Sequence, residues 1–510
     1  MNPAADDPLR WWERPAIVLA ILLLSAVPLL WPDVPALIDL PGHIGRYRIM
    51  LDLDTSAALR RFFDFRWALV PNLGVDLLMV PLAKLVGLEP AVRLIVIAIP
   101  PLTVAGFLWV AREAHGRIPP ALLFAAPFAY GSPFLGGFLN FSLSMALAFL
   151  SAGLWLYLWR LRRLRLRAAL FPIVSATVWL CHAVGWGTLG LLAFSFEFAR
   201  EAEEGGTIPR AVVSAATRCL PLAMPIVLIA GWQSGNVNAG TSDWLDVPWK
   251  LFASIVVLRD RWQAFDIVSV ALCGAVIFAG VREPKLLYSR GLATAAVLLT
   301  VAFLAMPRIL LGAAHADDRL VPYVFATALL GIGARPGGDR LAARLAVAGL
   351  AFFLARTAAS TASFALYDRS WNAELAALSH VPAGARVAAF VGMPCERTWF
   401  AARLEHLPGL AIARRDAFAN DQWTVAGSQL LQIKPPWTRY ADPSQMVTRV
   451  GCASAPWPSL DEALAALPRG DFDYVWLIDP PVHKAASVRG LTPVWRAGTS
   501  VLFRLPERGS

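Results

Sequence analysis

Long apolar runs alternate with short polar segments over the first two thirds of the chain, and the alternation stops after Phe364. A helix rises about 1.5 Å per residue, so roughly 20 apolar residues cross about 30 Å of hydrocarbon. On that measure Pro15–Trp31, Ala91–Val110, Pro119–Phe134 and Asn140–Trp159 read as spans. Ala168–Phe198 is too long for one span and is interrupted at His182-Ala-Val-Gly-Trp-Gly187, which predicts two shorter helices meeting at the break. Further spans are expected near 211–232, 263–281, 291–309, 320–334 and 343–362, giving about eleven in all. Leu73–Leu88 is apolar but short and carries Asp76 and Lys84, so it reads as re-entrant or interfacial. Asp33–Val70 mixes charges with aromatic residues, the pattern of amphipathic helices lying on a membrane surface. Beyond Phe364 no spanning run occurs. There Arg386–Gly392 and Tyr474–Ile478 read as buried strands, and Leu460–Leu467 as a helix before the second of them. The expected architecture is a polytopic α-helical membrane domain, 1–364, with interfacial outer-loop helices in 33–90, followed by a C-terminal α/β soluble domain, 365–510.

Composition agrees with this division. The chain is 57% hydrophobic and 16% charged, against about 25% charged in soluble domains. Its net charge of +10 does not point to nucleic acid, because the basic residues collect between apolar runs. Five arginines in Arg160-Leu-Arg-Arg-Leu-Arg-Leu-Arg167 mark a cytoplasmic loop by the positive-inside bias. Counting crossings from that loop puts the N-terminus in the cytoplasm of a bacterial inner membrane and 365–510 in the periplasm. The parity holds only if Leu73–Leu88 does not cross. The first apolar run has no small-residue cleavage site after it and reads as an anchor. The five cysteines show no metal spacing. Cys181, Cys219 and Cys273 lie in apolar runs, whereas Cys395 and Cys452 are free to pair in an oxidising compartment.

Chemistry-bearing residues concentrate just after the first span, in Leu37-Ile-Asp-Leu-Pro-Gly-His-Ile-Gly-Arg-Tyr47. Asp39 is read either as a helix N-cap before Pro41 or as a general base. His43 and Arg46 follow it at helical spacing on one face, and an arginine near a carboxylate keeps it ionised. A second polar cluster, His315, Asp317, Asp318 and Arg319, follows the 291–309 run. It is either a solvated turn or a phosphate site in which Arg319, with Arg308, supplies planar permanent charge. His182 stands at a break in the membrane-spanning pattern, tolerated where the backbone is buried in protein or lines a wet cavity.

The order of these features resembles the GT-C superfamily of membrane glycosyltransferases, which includes protein O-mannosyltransferases and lipid A aminoarabinose transferases. The resemblance rests on Asp39 in the first outer loop, Pro71-Asn-Leu-Gly-Val-Asp76 through Gly87-Leu-Glu-Pro-Ala-Val-Arg93, the basic turn at Gly116-Arg117, and Gly137-Phe-Leu-Asn140. It covers roughly 14–364. Leu40 stands where a second acidic residue often adjoins the aspartate, and His182-Ala-Val-Gly stands where aminoarabinose transferases carry a lysine-containing break. The resemblance implies an inverting transfer with Asp39 as base, a polyprenyl-phosphate-linked sugar as donor, and an envelope lipid, glycan or protein as acceptor. By their own positions, His43, Arg46, His182, Arg308, His315, Asp318 and Arg319 are the candidate substrate contacts. No cofactor is implied, and a divalent metal is left undecided. The rival class is a non-catalytic transporter or envelope-assembly protein, for which internal repeats are expected; none is evident.

Overall fold

The computed structural model describes residues 8–231, 240–310, 314–396, 398–424 and 429–506. They form two compact units. The first comprises the described parts of Met1–Trp31, Leu69–Leu77 and Leu94–Ser363, and the second those of Pro32–Ala68, Leu78–Arg93 and Phe364–Ser510. The expected outer loop at Gln233–Gln263 and the start of Ala313–Arg319 lie partly outside the described residues.

The first unit is helical. Among the described residues, five helices are long and apolar enough to cross a membrane: Leu88–His115, Leu139–Arg160, Leu164–Cys181, Gln263–Arg282 and the one starting at Asp339. Ile208–Arg218 and Leu220–Ala230, bent by 55°, add a sixth if the pair counts as one span. Pro15–Leu30, Leu122–Gly136 and Arg290–Ala305 are shorter apolar helices. Among the described residues, five or six of the roughly eleven expected spans are thus long and apolar enough to cross. The run at 119–134 shows why: it is an α-turn at Leu122–Ala125, a 3-10 segment at Ala126–Tyr130 and a further turn at Ser132–Gly136. Pro127 and Pro133 lack the N–H that would continue a helical ladder. The 320–334 run likewise stops at Leu330, and Ile332–Ala334 pairs antiparallel with Leu286–Tyr288. Gly331 permits this, since a Cβ there would stand 2.3 Å from the Tyr288 ring. The long run breaks where expected: helices Leu164–Cys181 and Ala183–Glu203 meet at an extended His182.

The basic connections of this unit gather on one face. Arg117 pairs with Glu13 at 2.7 Å, and Arg10 pairs with Asp339. Arg160 pairs with Glu113 at 2.7 Å, and the Arg335 amide donates to the Lys285 carbonyl at 3.0 Å. Glu197, fully buried, holds Arg167 and Arg200 at 2.8 Å each and accepts from Trp155 Nε1 at 2.9 Å. The Gly74–Val86 helix, 13 residues long, reaches only about 20 Å.

In the second unit, Arg386–Gly392 lies between parallel neighbours Phe418–Ala419 and Tyr474–Ile478, and Met446–Val447 pairs with its end. Antiparallel Ser500–Arg504 and Thr492–Ala497 complete the sheet. The strand at Tyr474–Ile478 is buried along its whole length, which is why it reads as a continuous apolar run. The helix at Leu460–Ala466 starts in a capping box between Ser459 and Glu462. Pro32–Ala68, expected as surface-lying helices, packs into this unit: Leu40, Ile44, Tyr47 and Ile49 are at most 1% exposed. Strand Phe63–Phe65 pairs with Leu431–Ile433. Helix Leu40–Asp52 crosses Gly409–Arg415 at glycines. A Cβ on Gly45 would lie 2.7 Å from the Gly409 carbonyl oxygen, and one on Gly409 2.5 Å from that of Pro41. Cys395 and Cys452 are disulfide-bonded, with Cα atoms 5.6 Å apart, inside the roughly 7 Å limit for such a bridge.

Candidate active site

Asp39 occupies the N-cap position of helix Leu40–Asp52, but its side chain makes no capping hydrogen bond. Pro41 opens the helix in its first turn, where a missing N–H costs nothing. The carboxylate is directed elsewhere: its Oδ1 lies 4.0 Å from His406 Nε2, and its side chain is 20% exposed. The same nitrogen lies 3.9 Å from Asp442 Oδ1. Trp423 stacks obliquely on the His406 ring, with centroids 4.3 Å apart, and also meets His43 at 5.2 Å. His43 in turn stacks over Tyr47 at 6.1 Å, and the Arg46 guanidinium lies 4.8 Å from the Tyr47 ring centre. Tyr47, one turn after His43, is fully buried and acts as the platform for both neighbours.

Burial sets the charge states around Asp39. It pushes His406 down to about 4, with only partial compensation from the Asp421 backbone, so the imidazole is neutral at pH 7. The two carboxylates near 4 Å therefore face a neutral ring and do not form ion pairs. Burial raises Asp442 above the ordinary carboxylate range, against the Gln445 hydrogen bond of 2.8 Å. Asp421, wholly buried, is raised well above that range, by burial first and then by the charge of Asp442. It lies beneath Gly409, and Gln422 Nε2 bridges its Oδ1 and the Gly42 carbonyl at 3.2 Å each. The site thus keeps a solvent-reaching carboxylate beside a neutral base.

The other expected residues lie in the first unit. Phe141 stands between His182 and Arg319: its ring meets His182 at 5.4 Å, and the Arg319 guanidinium lies 5.9 Å from it and 3.9 Å from the Phe138 ring. Arg319 Nη2 also donates to the Ala314 carbonyl at 3.0 Å. His182 caps its own break, with Nδ1 accepting from the Val184 amide at 3.2 Å. Arg308 lies over Trp249 at 3.9 Å, and His315 meets the same indole at 5.5 Å. His315, at a φ of 59°, is held by Asp318 at 2.8 Å, so that pair ties the loop together. The solvated-turn reading fails for Asp317, which is fully buried and grips Lys250 at 2.7 Å. Lys250 also donates to the Phe303 and Met306 carbonyls at 2.8 and 2.9 Å, fastening the end of helix Arg290–Ala305.

Sequence reasoning passed over His406, Asp421, Trp423, Asp442 and Lys250. None stands in a motif. The one available signal is that His406 is among only seven histidines. Among the described residues, no group of three or more His, Cys, Asp or Glu is arranged to hold a metal ion.

No protein-family model and no curated protein matches this sequence. The fold is similar to the crystal structure of ArnT from Cupriavidus metallidurans in the apo state, with a TM-score of 0.51 and 10% identity over 96% of this chain and 97% of that one. The same protein bound to undecaprenyl phosphate aligns with a TM-score of 0.48 and 10% identity, over 96% of each chain. The chain has an ArnT-like fold with helices long and apolar enough to cross a membrane, and at this identity the likeness speaks of fold alone.

Proposed function

We propose that the protein is an inverting glycosyltransferase that moves a sugar from a polyprenyl-phosphate donor to an envelope acceptor at the periplasmic face of the inner membrane. The acceptor hydroxyl or amine attacks the anomeric carbon, the bond from that carbon to the phosphate oxygen breaks, and Asp39 takes the acceptor proton. The observation that carries the reading is that Asp39, at a helix start, does not cap it but directs its carboxylate toward His406, 4.0 Å away. The ArnT-like fold supports the reaction class.

Arg319, with Arg308, is assigned to the donor phosphate, whose departure leaves negative charge that fixed guanidinium groups stabilise. Both are carried on aromatic faces, Arg319 on Phe138 and Arg308 on Trp249, which holds a planar cation without consuming all of its donors. His182, His315 and Asp318 shape that region, and His43 and Arg46 shape the surroundings of Asp39. Residues 365–510 are placed in the periplasm, a placement supported by the Cys395–Cys452 disulfide. No cofactor enters the step as written.

The test is transfer by the full chain in lipid nanodiscs, with a panel of polyprenyl-phosphate sugars and an envelope extract as acceptor, run with and without EDTA. Asp39→Asn keeps the shape and removes the basicity, and is expected to lower turnover by about 10²–10⁴-fold while the protein inserts normally. Near-native transfer by that variant makes Asp39 a structural residue. Arg319→Ala is expected to weaken donor binding or turnover, and unchanged activity removes it from the site.

A further inference from the structure

One nitrogen of His406 faces two carboxylates: Nε2 lies 4.0 Å from Asp39 Oδ1 and 3.9 Å from Asp442 Oδ1. These side chains come from distant parts of the sequence, and nothing in the packing of an ordinary core histidine calls for such an arrangement. We propose that His406 relays the proton taken up by Asp39 to Asp442, from which it leaves to solvent. The inference rests on the reading of Asp39 as the base and says how that base is restored between turnovers.

Each transfer balances. The acceptor O–H or N–H bond breaks and its proton bonds to Asp39. That new O–H bond breaks as the Nε2 lone pair takes the proton, giving an imidazolium with Nδ1 also protonated. The Nε2–H bond then breaks as Asp442 Oδ1 takes the proton, and water removes it. No electrons change hands, and all three side chains return to their starting states.

Four features fit this role. The ring is fixed by Trp423 at 4.3 Å. Burial pushes His406 down to about 4, which leaves the lone pair available at neutral pH and makes the imidazolium a ready donor. Asp442 is raised by burial and so accepts a proton more readily than an exposed carboxylate. It is also oriented by Gln445 at 2.8 Å and, at 19% exposure, reaches solvent. Gaps near 4 Å are within the range that closes to hydrogen-bond length as a catalytic site tightens on its substrate. The other titratable groups around the ring do not compete for this proton. Asp421 faces it through its backbone, with its carboxyl raised well above the ordinary range, and His43 lies beyond Trp423.

The experiment is ¹⁵N NMR of the full chain, labelled in histidine and held in nanodiscs, with His406 assigned by loss of its signal in His406→Gln. At pH 7 the Nε2 signal is expected to report an unprotonated nitrogen. Asp39→Asn and Asp442→Asn should each shift that signal and lower the pH at which the ring protonates, because each removes a facing negative charge. A signal unmoved by both substitutions overturns the relay without any assay of transfer. In the transfer assay, Asp442→Asn should lower kcat by about tenfold or more with KM unchanged, and added formate should restore part of the loss. If Asp39→Asn is inactive while Asp442→Asn and His406→Gln turn over at the wild-type rate, the relay fails and the base stands. If Asp39→Asn is active, the base reading itself fails.

Discussion

The burial of His406 makes a prediction about stability that is independent of catalysis. In the folded chain its imidazole protonates only near pH 4, against 6.5 for the free side chain. The unfolded state therefore binds more protons between those values. The sign follows from linkage: this contribution is fully present above pH 6.5 and is lost as pH falls toward 4. One pH step is worth about 1.4 kcal/mol, so the whole window amounts to about 3 kcal/mol, of which roughly 2 kcal/mol is gone by pH 4.5. Asp421 and Asp442 act in the opposite sense, since their folded values are raised. Their stabilisation is fully present below the ordinary carboxylate range and is lost as pH rises through the folded values. A comparison at two pH values in one protein would mix these terms, so the measurement is a difference between proteins. Wild type and His406→Gln are unfolded by denaturant at pH 7 and at pH 4.5, with Trp423 among the fluorescent reporters. The variant is expected to be less stable than wild type at pH 7 and to lose about 2 kcal/mol less on acidification. Parallel pH profiles for the two proteins refute the claim that His406 is buried and neutral.

Gly409→Ala places a Cβ 2.5 Å from the Pro41 carbonyl oxygen and 2.8 Å from Asp421 Oδ2, so it should cost about 1–3 kcal/mol in the same denaturation assay and displace the Asp39 helix. Cys395→Ser opens a bridge between residues 57 apart; loop-closure entropy predicts a loss of about 4 kcal/mol, and the wild-type bond should be detected by mass in non-reduced protein from membranes. Glu197→Gln leaves the buried Arg167 and Arg200 without their carboxylate and should cost about 3–5 kcal/mol, read as a fall in thermal midpoint in detergent. Reporter fusions after Arg167 and after Ser510 should report cytoplasm and periplasm respectively, and either opposite signal breaks the assigned topology.

What the sequence revealed was whatever depends on neighbours along the chain. The break at His182 was legible because a run too long for one span must bend, and the residue duly caps the following helix. The Arg386–Gly392 and Tyr474–Ile478 strands were legible because burial on both faces leaves an unbroken apolar run. The breaks in 119–134 and 320–334 were obscured because a hydropathy count does not register a missing proline N–H or the close approach at Gly331. The surroundings of Asp39 were hidden for a deeper reason. Helical spacing could relate His43 and Tyr47, which do stack, but it could only offer Arg46 as the partner that sets the state of Asp39. His406 and Asp442 enter through contacts within the second unit, formed once Gly45 and Gly409 let two helix backbones touch. No local pattern marks a histidine that will be surrounded by carboxylates, because burial and proximity are set by the tertiary fold. The two glycines are therefore the sequence feature on which the site's chemistry depends most: without their close crossing, Asp421 would not be sealed beneath Gly409, and Gln422 would not reach the Gly42 carbonyl to hold the Asp39 helix in place.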